Sequence, residues 1–108
     1  MARKVFILDS AKADYSAIKQ HVKKEFGDQS WAKTHKAFKD ALTHIARSPE
    51  MGLDLDELKS VGILTFRSKR VDQTRIIYEF DDTSVVIHMF IHTRRDFTRH
   101  LLDRVLGV

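Results

Sequence analysis

Residues 75–92 read RIIYEFDDTSVVIHMFIH, which is two strand-like runs on either side of a polar turn. Arg75–Phe80 and Val85–His92 are rich in β-branched and aromatic residues, and these residue types favour strands. The link Asp81-Asp82-Thr83 between the two runs is short and polar, as it is in a β-hairpin. This stretch predicts that the second half of the chain forms an antiparallel sheet.

Elements on both sides of this hairpin extend the prediction. A further strand-like run, Ile63–Arg67, precedes it. A helix beginning at Asp96 follows it and carries Phe97, Leu101 and Val105 on one side. The second half of the chain therefore predicts three strands and a closing helix.

The first half predicts a short strand and two helices. Val5–Leu8 is an apolar run of strand length. Apolar residues then recur at helical spacing as far as Gly27, a residue that commonly ends helices. A second helix begins near Ser30 and ends before Pro49, because the residue preceding a proline resists the helical conformation. The link between the helices is short, so we expect a helical hairpin.

Together these elements predict an α+β fold with the order β-α-α-β-β-β-α. We expect a small, mostly antiparallel sheet with an N-terminal helical hairpin and a C-terminal helix, the helices packing on one face. The acidic segment 50–59 shows no regular pattern. We expect four apolar side chains to hold it against the core, those of Met51, Leu53, Leu55 and Leu58. A chain of 108 residues has the size of one domain, so we expect a single domain over residues 1–108.

Composition and charge limit the possible functions. The chain has no cysteine, which excludes disulfides, thiolate metal sites and thiol nucleophiles. No apolar run is long enough to cross a bilayer, and we expect a cytoplasmic protein. The formal net charge is +4, which suggests an anionic partner. Seven of the nine arginines follow Val61, and the planar arginine side chain is suited to phosphate and carboxylate groups.

Strand alternation gathers the candidate functional residues on one face of the predicted sheet. Successive side chains point to opposite faces, and Ile76, Tyr78 and Phe80 take the apolar one. The opposite face would hold Arg67, Arg75, His88, Phe90 and His92, with Arg94 and Arg95 just past the end of the last strand. Cations and imidazoles interleaved with an aromatic residue on a sheet surface are typical of single-stranded RNA binding.

Phosphodiester cleavage is the reaction that suits this set of side chains. A histidine can act as base or acid near neutral pH, and arginines can stabilise the charge that develops on phosphate. His88 and His92 are about 13 Å apart along a strand, too far to share one metal ion, so we expect no metal and no cofactor. The alternative is that this face meets solvent or a partner protein.

Two short tracts resemble a known superfamily. They are Arg75–Phe80, RIIYEF, and residues 92–97, HTRRDF. Together with the order of elements they resemble the RelE/ParE superfamily, the toxins of bacterial type II toxin–antitoxin modules. The resemblance covers nearly the whole chain. It implies a cytoplasmic toxin that is neutralised by a cognate antitoxin protein.

The superfamily contains two activities. RelE-like members cleave mRNA in the ribosomal A site, and by resemblance Arg75 and either Arg95 or Arg94 match arginines of that site. The lysines that those enzymes carry on the preceding strand would fall near Ile63 and Thr65, neither of which is basic. ParE-like members bind and poison DNA gyrase without chemistry of their own, and the tract HTRRD resembles that branch equally.

From the sequence we favour metal-independent mRNA cleavage, with the ribosome and mRNA as targets. Inhibition of DNA gyrase is the alternative, and an RNA-binding module without toxicity is a third interpretation. The residues expected to carry catalysis are Arg75, His92 and Arg95. The residues expected to bind RNA or another target are Arg67, His88, Phe90 and Arg94.

Overall fold

A computed structural model describes residues 2–92 and 97–106. The helices are α1 (Asp9–Phe26), α2 (Asp28–Arg47), α3 (Asp56–Lys59) and α4 (Phe97–Leu106), with a 3₁₀ turn at Pro49–Met51. The strands are β1 (Lys4–Ile7), β2 (Leu53–Asp54), β3 (Phe66–Val71), β4 (Thr74–Phe80) and β5 (Ser84–His92). The predicted fold class is confirmed, and two short elements, β2 and α3, occur in the segment predicted to be irregular.

The strands form one sheet in the order β1-β5-β4-β3-β2. β1 is parallel to β5, and the other neighbours are antiparallel. The turn from β4 to β5 is shaped by the Asp81 carboxylate, which accepts hydrogen bonds from the backbone N–H groups of Thr83 (2.9 Å) and Ser84 (2.8 Å). These bonds stabilise the ionised carboxylate, so the pKa of Asp81 is lowered.

The two long helices are joined at Gly27. Its φ of 90° is a conformation that favours glycine, and its N–H bonds to the carbonyl of Lys23 at 3.0 Å to close α1. α2 ends at Arg47, two residues before Pro49, as predicted. Within the described residues, no helix combines the length and the apolar character that crossing a membrane requires.

Helices cover both faces of the sheet. α1 and α2 pack on what we call the hairpin face, whose buried strand residues are Ile76, Tyr78, Val85, Ile87 and Phe90. The opposite, α4 face packs against Leu55, Leu58 and Leu101, and its buried strand residues are Phe66, Ile77, Met89 and Ile91. The expectation that the helices pack on one face is therefore wrong, because β4 and β5 carry apolar side chains on both sides.

A β-bulge in β5 determines which side chains share a face. Ile77 is paired with Met89, but the next residue of β4, Tyr78, is paired with Ile87. His88 is therefore an extra residue on β5. A bulge of this kind interrupts the regular alternation of side chains, so the two ends of β5 do not follow one continuous pattern.

β3, the strand before the β4–β5 hairpin, begins later than the predicted strand Ile63–Arg67. The N–H of Ile63 bonds to the carbonyl of Leu58 at 2.9 Å, so the chain is still turning there, and β3 begins at Phe66. Leu58 is buried as expected. Met51 and Leu53 are each 71% exposed, so the expectation that they contact the core is wrong.

Candidate functional site

Arg75 and His92, two of the predicted catalytic residues, lie on opposite faces of the sheet. Arg75 is paired with Ile91, a residue of the α4 face, whereas His92 is paired with Thr74 on the hairpin side. Direct partners in an antiparallel pair share a face, and neighbours along a strand do not. The prediction that one surface gathers these two side chains is therefore wrong, and the bulge at His88 is the reason.

Phe90 is part of the core and not of an accessible surface. It is 4% exposed, and its ring lies 5.7 Å from that of Phe38 and 5.2 Å from that of Tyr15, measured between centroids. Both contacts are edge-to-face, the arrangement that aromatic pairs prefer. The prediction that Phe90 lies on an accessible face of the sheet with Arg67, Arg75 and the two histidines is wrong, because the bulge turns this side chain toward the helical hairpin.

Arg67 is also separated from Arg75. It is the direct partner of Tyr78, which places it on the hairpin face, and it forms an ion pair with Asp54 of β2. The Tyr78 hydroxyl donates a hydrogen bond of 2.6 Å to the carbonyl of Pro49. Burial raises the pKa of Tyr78 to about 12, although the positive charge of Arg67 opposes this shift. Arg67 thus has a structural position at the β2–β3 edge.

His88 remains on the α4 face but is held by neighbouring side chains. Its Nε2 lies 2.9 Å from Oε1 of Glu79, and the hydroxyl of Thr65 donates to the other oxygen of Glu79 at 2.7 Å. The imidazole also lies 4.7 Å from the ring of Phe66, between centroids. The imidazole is therefore held at Glu79, which is four residues from Arg75 along β4, about 13 Å by the strand rise.

The remaining two predicted residues, Arg94 and Arg95, lie outside the described residues. Of the predicted set, the structure therefore leaves Arg75 and His88 on the α4 face, at separate positions. Within the described ranges, no group of three or more histidine, aspartate or glutamate side chains is arranged to hold a metal ion.

A large cleft lies between the helical hairpin and the far end of β5. Its volume is about 850 Å³, and its walls include Ile18 and Val22 of α1 and Val71 of β3. His92 lines the cleft together with Arg104 of α4. Sequence reasoning missed this feature, because its walls come from segments that are far apart in the chain and carry no common motif.

Comparisons with known proteins identify relatives of this chain. A family model described as the ParE toxin of the type II toxin–antitoxin system parDE matches residues 5–97. A chain of the chromosomal ParDE system from P. aeruginosa is 12% identical with a TM-score of 0.68, over 86% of this chain and 98% of that chain. A chain of the RelBE2 toxin–antitoxin complex from Mycobacterium tuberculosis is 21% identical with a TM-score of 0.60, over 85% and 99%. No curated protein matches significantly.

Proposed function

Because the chain belongs to the ParE toxin family of type II toxin–antitoxin systems, we propose that it arrests bacterial growth by binding DNA gyrase, without catalysis of its own. The observation that carries this proposal is the separation of Arg75 from His92 on opposite faces of the sheet. A binding protein does not need these groups to converge on one phosphate. A nuclease does, because base, acid and cation must act on the same reacting group.

Cleavage of mRNA, which we favoured from the sequence, has less support. Its base would be His88 or His92, and its phosphate ligand would be Arg75. His88 is hydrogen-bonded to Glu79 some distance from Arg75, and His92 is on the other face. Under the gyrase proposal, Arg75, Arg94 and Arg95 contact the target protein, so they need only be accessible.

The experiment compares the two targets directly. Purified toxin is added to gyrase with plasmid DNA, and in parallel the toxin is induced in cells and the ends of mRNA are mapped. We expect linear DNA with gyrase bound covalently to its ends, and transcripts that stay intact. New cuts within translated frames, with no cleavage complex, would overturn the proposal in favour of mRNA cleavage.

Variants of the arginines extend this test. Arg75→Ala with Arg95→Ala is expected to relieve growth arrest and to reduce gyrase-linked DNA in proportion, while the circular dichroism spectrum stays unchanged. Lys33→Ala with Lys36→Ala is the matched control, since it removes the same charge from exposed positions of α2. Unchanged arrest in the arginine variant would discard these residues as the contact site.

The proposed partner in the resting cell is a cognate antitoxin protein, and the cleft beside α1 is the surface that suits it best. The cleft has walls that combine apolar with polar and charged side chains and a volume of about 850 Å³, enough for side chains of a bound segment. Ala17 lines it and is exposed. Ala17→Arg is expected to leave growth arrest intact while preventing neutralisation by the co-expressed antitoxin. Normal neutralisation of this variant would place the antitoxin elsewhere.

A further inference from the structure

The outer edge of β3 extends past the end of β2 at Arg70. Val71 and Thr74 are the last pair before a two-residue turn, so they exchange backbone hydrogen bonds with each other. The hydrogen-bonding direction alternates along an antiparallel strand, so the backbone N–H and C=O of Arg70 point away from β4. β2 begins at Leu53, opposite Ser68, and so it does not extend to Arg70. Arg70 therefore presents a backbone donor and a backbone acceptor at the edge of the sheet.

A small pocket with cationic walls adjoins this position. Its volume is about 190 Å³, and its lining includes Lys69, Arg70 and His44 of α2. Within the part of the chain that the structure describes, no aspartate or glutamate lines the pocket, and no carboxylate is within ion-pairing distance of these three residues. Met51 and Leu53, both exposed, also line it. The pocket therefore suits side chains of a segment that combines acidic with apolar residues.

Lys69 and Arg70 extend to opposite faces of the sheet. Lys69 is paired with Ile76 of the hairpin face, on which α2 packs, whereas Arg70 is paired with Arg75 of the α4 face. Side chains of a strand lying along this edge would alternate in the same way. Its residue opposite Arg70 would extend toward the Arg70 guanidinium, and the next residue toward Lys69 and His44. One extended segment can therefore contact all three cations if two of its adjacent residues are acidic.

The charges at this edge select the kind of strand that can pair there. Cationic side chains on an edge strand hinder its pairing with a second copy of itself. In two toxin molecules joined at this edge, Lys69 and Arg70 would face like charges, which repel each other. An acidic segment meets opposite charges instead, so the residues that exclude a second copy favour this partner.

The pocket adjoins the cleft proposed for the antitoxin. Arg70 lines the pocket, and the next residue, Val71, lines the cleft. Successive strand residues are about 3.3 Å apart, so a chain that leaves the cleft at Val71 comes directly to this edge. We propose that the antitoxin continues from the cleft as an extended acidic segment, which pairs with the backbone of Arg70 and places adjacent carboxylates beside Arg70 and Lys69. This contact rests on the proposed function, in which the antitoxin occupies the cleft.

Hydrogen exchange tests the backbone pairing in the unmodified complex. The amide N–H of Arg70 points away from the sheet in the free toxin, and in the complex it becomes a donor to the antitoxin strand. We expect its exchange, measured by NMR, to slow by about ten-fold or more when full-length antitoxin binds. The amide of Asp82, in the exposed turn between β4 and β5, is the control and should keep its rate. Equal exchange at Arg70 in the free toxin and the complex, or equal slowing at both amides, would overturn the pairing.

Charge reversal tests the acidic character of the segment. Lys69→Glu and Arg70→Glu are each expected to weaken antitoxin affinity by about ten-fold, because a carboxylate would then face a carboxylate. Lys33→Glu, at an exposed position of α2, is the matched control, with an expected change below about two-fold. Lysine in place of the two adjacent acidic residues of the antitoxin should restore binding to the doubly reversed toxin. Arg70→Glu is expected to fold, since it places a negative charge opposite Arg75.

Unchanged affinity in both reversed toxins would overturn the acidic contact. Equal weakening by Lys33→Glu would overturn it too, because it would indicate net charge alone. An antitoxin that contains no two adjacent acidic residues would have the same consequence.

Failure of this contact and failure of the proposed function give different results. Neutralisation that is blocked by Ala17→Arg, with no slowing of exchange at Arg70, would retain the cleft and overturn the edge contact. Slowed exchange at Arg70 with normal neutralisation of Ala17→Arg would retain the edge contact and overturn the cleft. The gyrase assay contains no antitoxin, so it reports on the target independently of both surfaces.

Discussion

Arg104 of α4 binds Asp14 of α1 through two nitrogen–oxygen contacts of 3.1 Å each, next to the edge of β5. The Asp14 carboxylate also accepts the backbone N–H of Phe90 at 3.2 Å, and Arg104 donates to the carbonyl of His88 at 3.4 Å. β1 is paired with β5 only over residues 84–87. The two charged side chains therefore satisfy backbone groups of β5 beyond the end of β1, and they join the first helix to the last.

Breaking this pair is expected to destabilise the protein. Asp14→Ala or Arg104→Ala should lower the free energy of unfolding by about 2 kcal/mol, because each leaves a partly buried charge without its partner. The double variant should lose less than the sum, by about 1 kcal/mol, in urea unfolding. Lys23→Ala is the control. It breaks an exposed 3.9 Å pair with Asp28, and its expected effect is below about 0.5 kcal/mol. Additive losses at Asp14 and Arg104 would contradict the coupling.

Gly52 is required for the close approach of Tyr78. Its φ of −67° is ordinary, so the requirement is one of space: a Cβ at Gly52 would overlap the Tyr78 hydroxyl and lie 3.0 Å from the Cβ of Arg67. Gly52→Ala is expected to lower the free energy of unfolding by about 1–3 kcal/mol. The loss should be smaller when measured in a Tyr78→Phe background, which removes the hydroxyl. An equal loss in both backgrounds would show that this contact is not the cause.

Tyr78 is expected to make stability fall at high pH. Its pKa is raised from 10.0 to about 12 by burial, so between these values the folded chain keeps a proton that the unfolded chain releases. Folding therefore loses stability as pH rises through this window, by about 1.4 kcal/mol per unit at most. Below pH 10 the contribution is complete and does not vary.

The measurement compares urea unfolding of the wild type and Tyr78→Phe from about pH 9 to 11.5, because the remaining tyrosine and the lysines are common to both proteins and their contributions cancel. At neutral pH the variant should be less stable by about 1 kcal/mol, because the carbonyl of Pro49 loses its hydrogen bond. That difference should shrink and then reverse as pH rises. Parallel curves for the two proteins would contradict the raised pKa.

The local pattern of the chain was sufficient to predict the two strands of the β4–β5 hairpin. β4 begins one residue before the predicted Arg75, and β5 one residue before the predicted Val85. The end of α2 before Pro49 was predicted for a similar reason, since a proline acts on its immediate neighbour. These features depend on residues close together in sequence, and so they can be read from it.

The placement of the candidate site could not be predicted in this way. Both faces of the sheet are covered by helices, so apolar residues occur on both, and alternation does not distinguish them. Met89 and Phe90 follow the bulged His88 as two apolar neighbours. By pattern alone, either side chain is equally suited to the face that packs against α1 and α2. The face of Arg67 depends likewise on its pairing with Tyr78. Pairing between distant strands, which no local pattern contains, decided both positions.

The last prediction concerns His88, whose imidazole could be structural or catalytic. Glutamine can donate a hydrogen bond to Glu79 as the imidazole does, but it cannot transfer a proton at neutral pH. His88→Gln is therefore expected to keep growth arrest at the wild-type level and to lower the free energy of unfolding by less than about 1 kcal/mol. His88→Ala, which loses both the Glu79 bond and the Phe66 contact, should lose about 1–2 kcal/mol. His100→Gln, at an exposed position of α4, is the matched control. If His88→Gln alone lost growth arrest while keeping its stability, proton transfer would be assigned to His88. The result would then favour mRNA cleavage over gyrase binding.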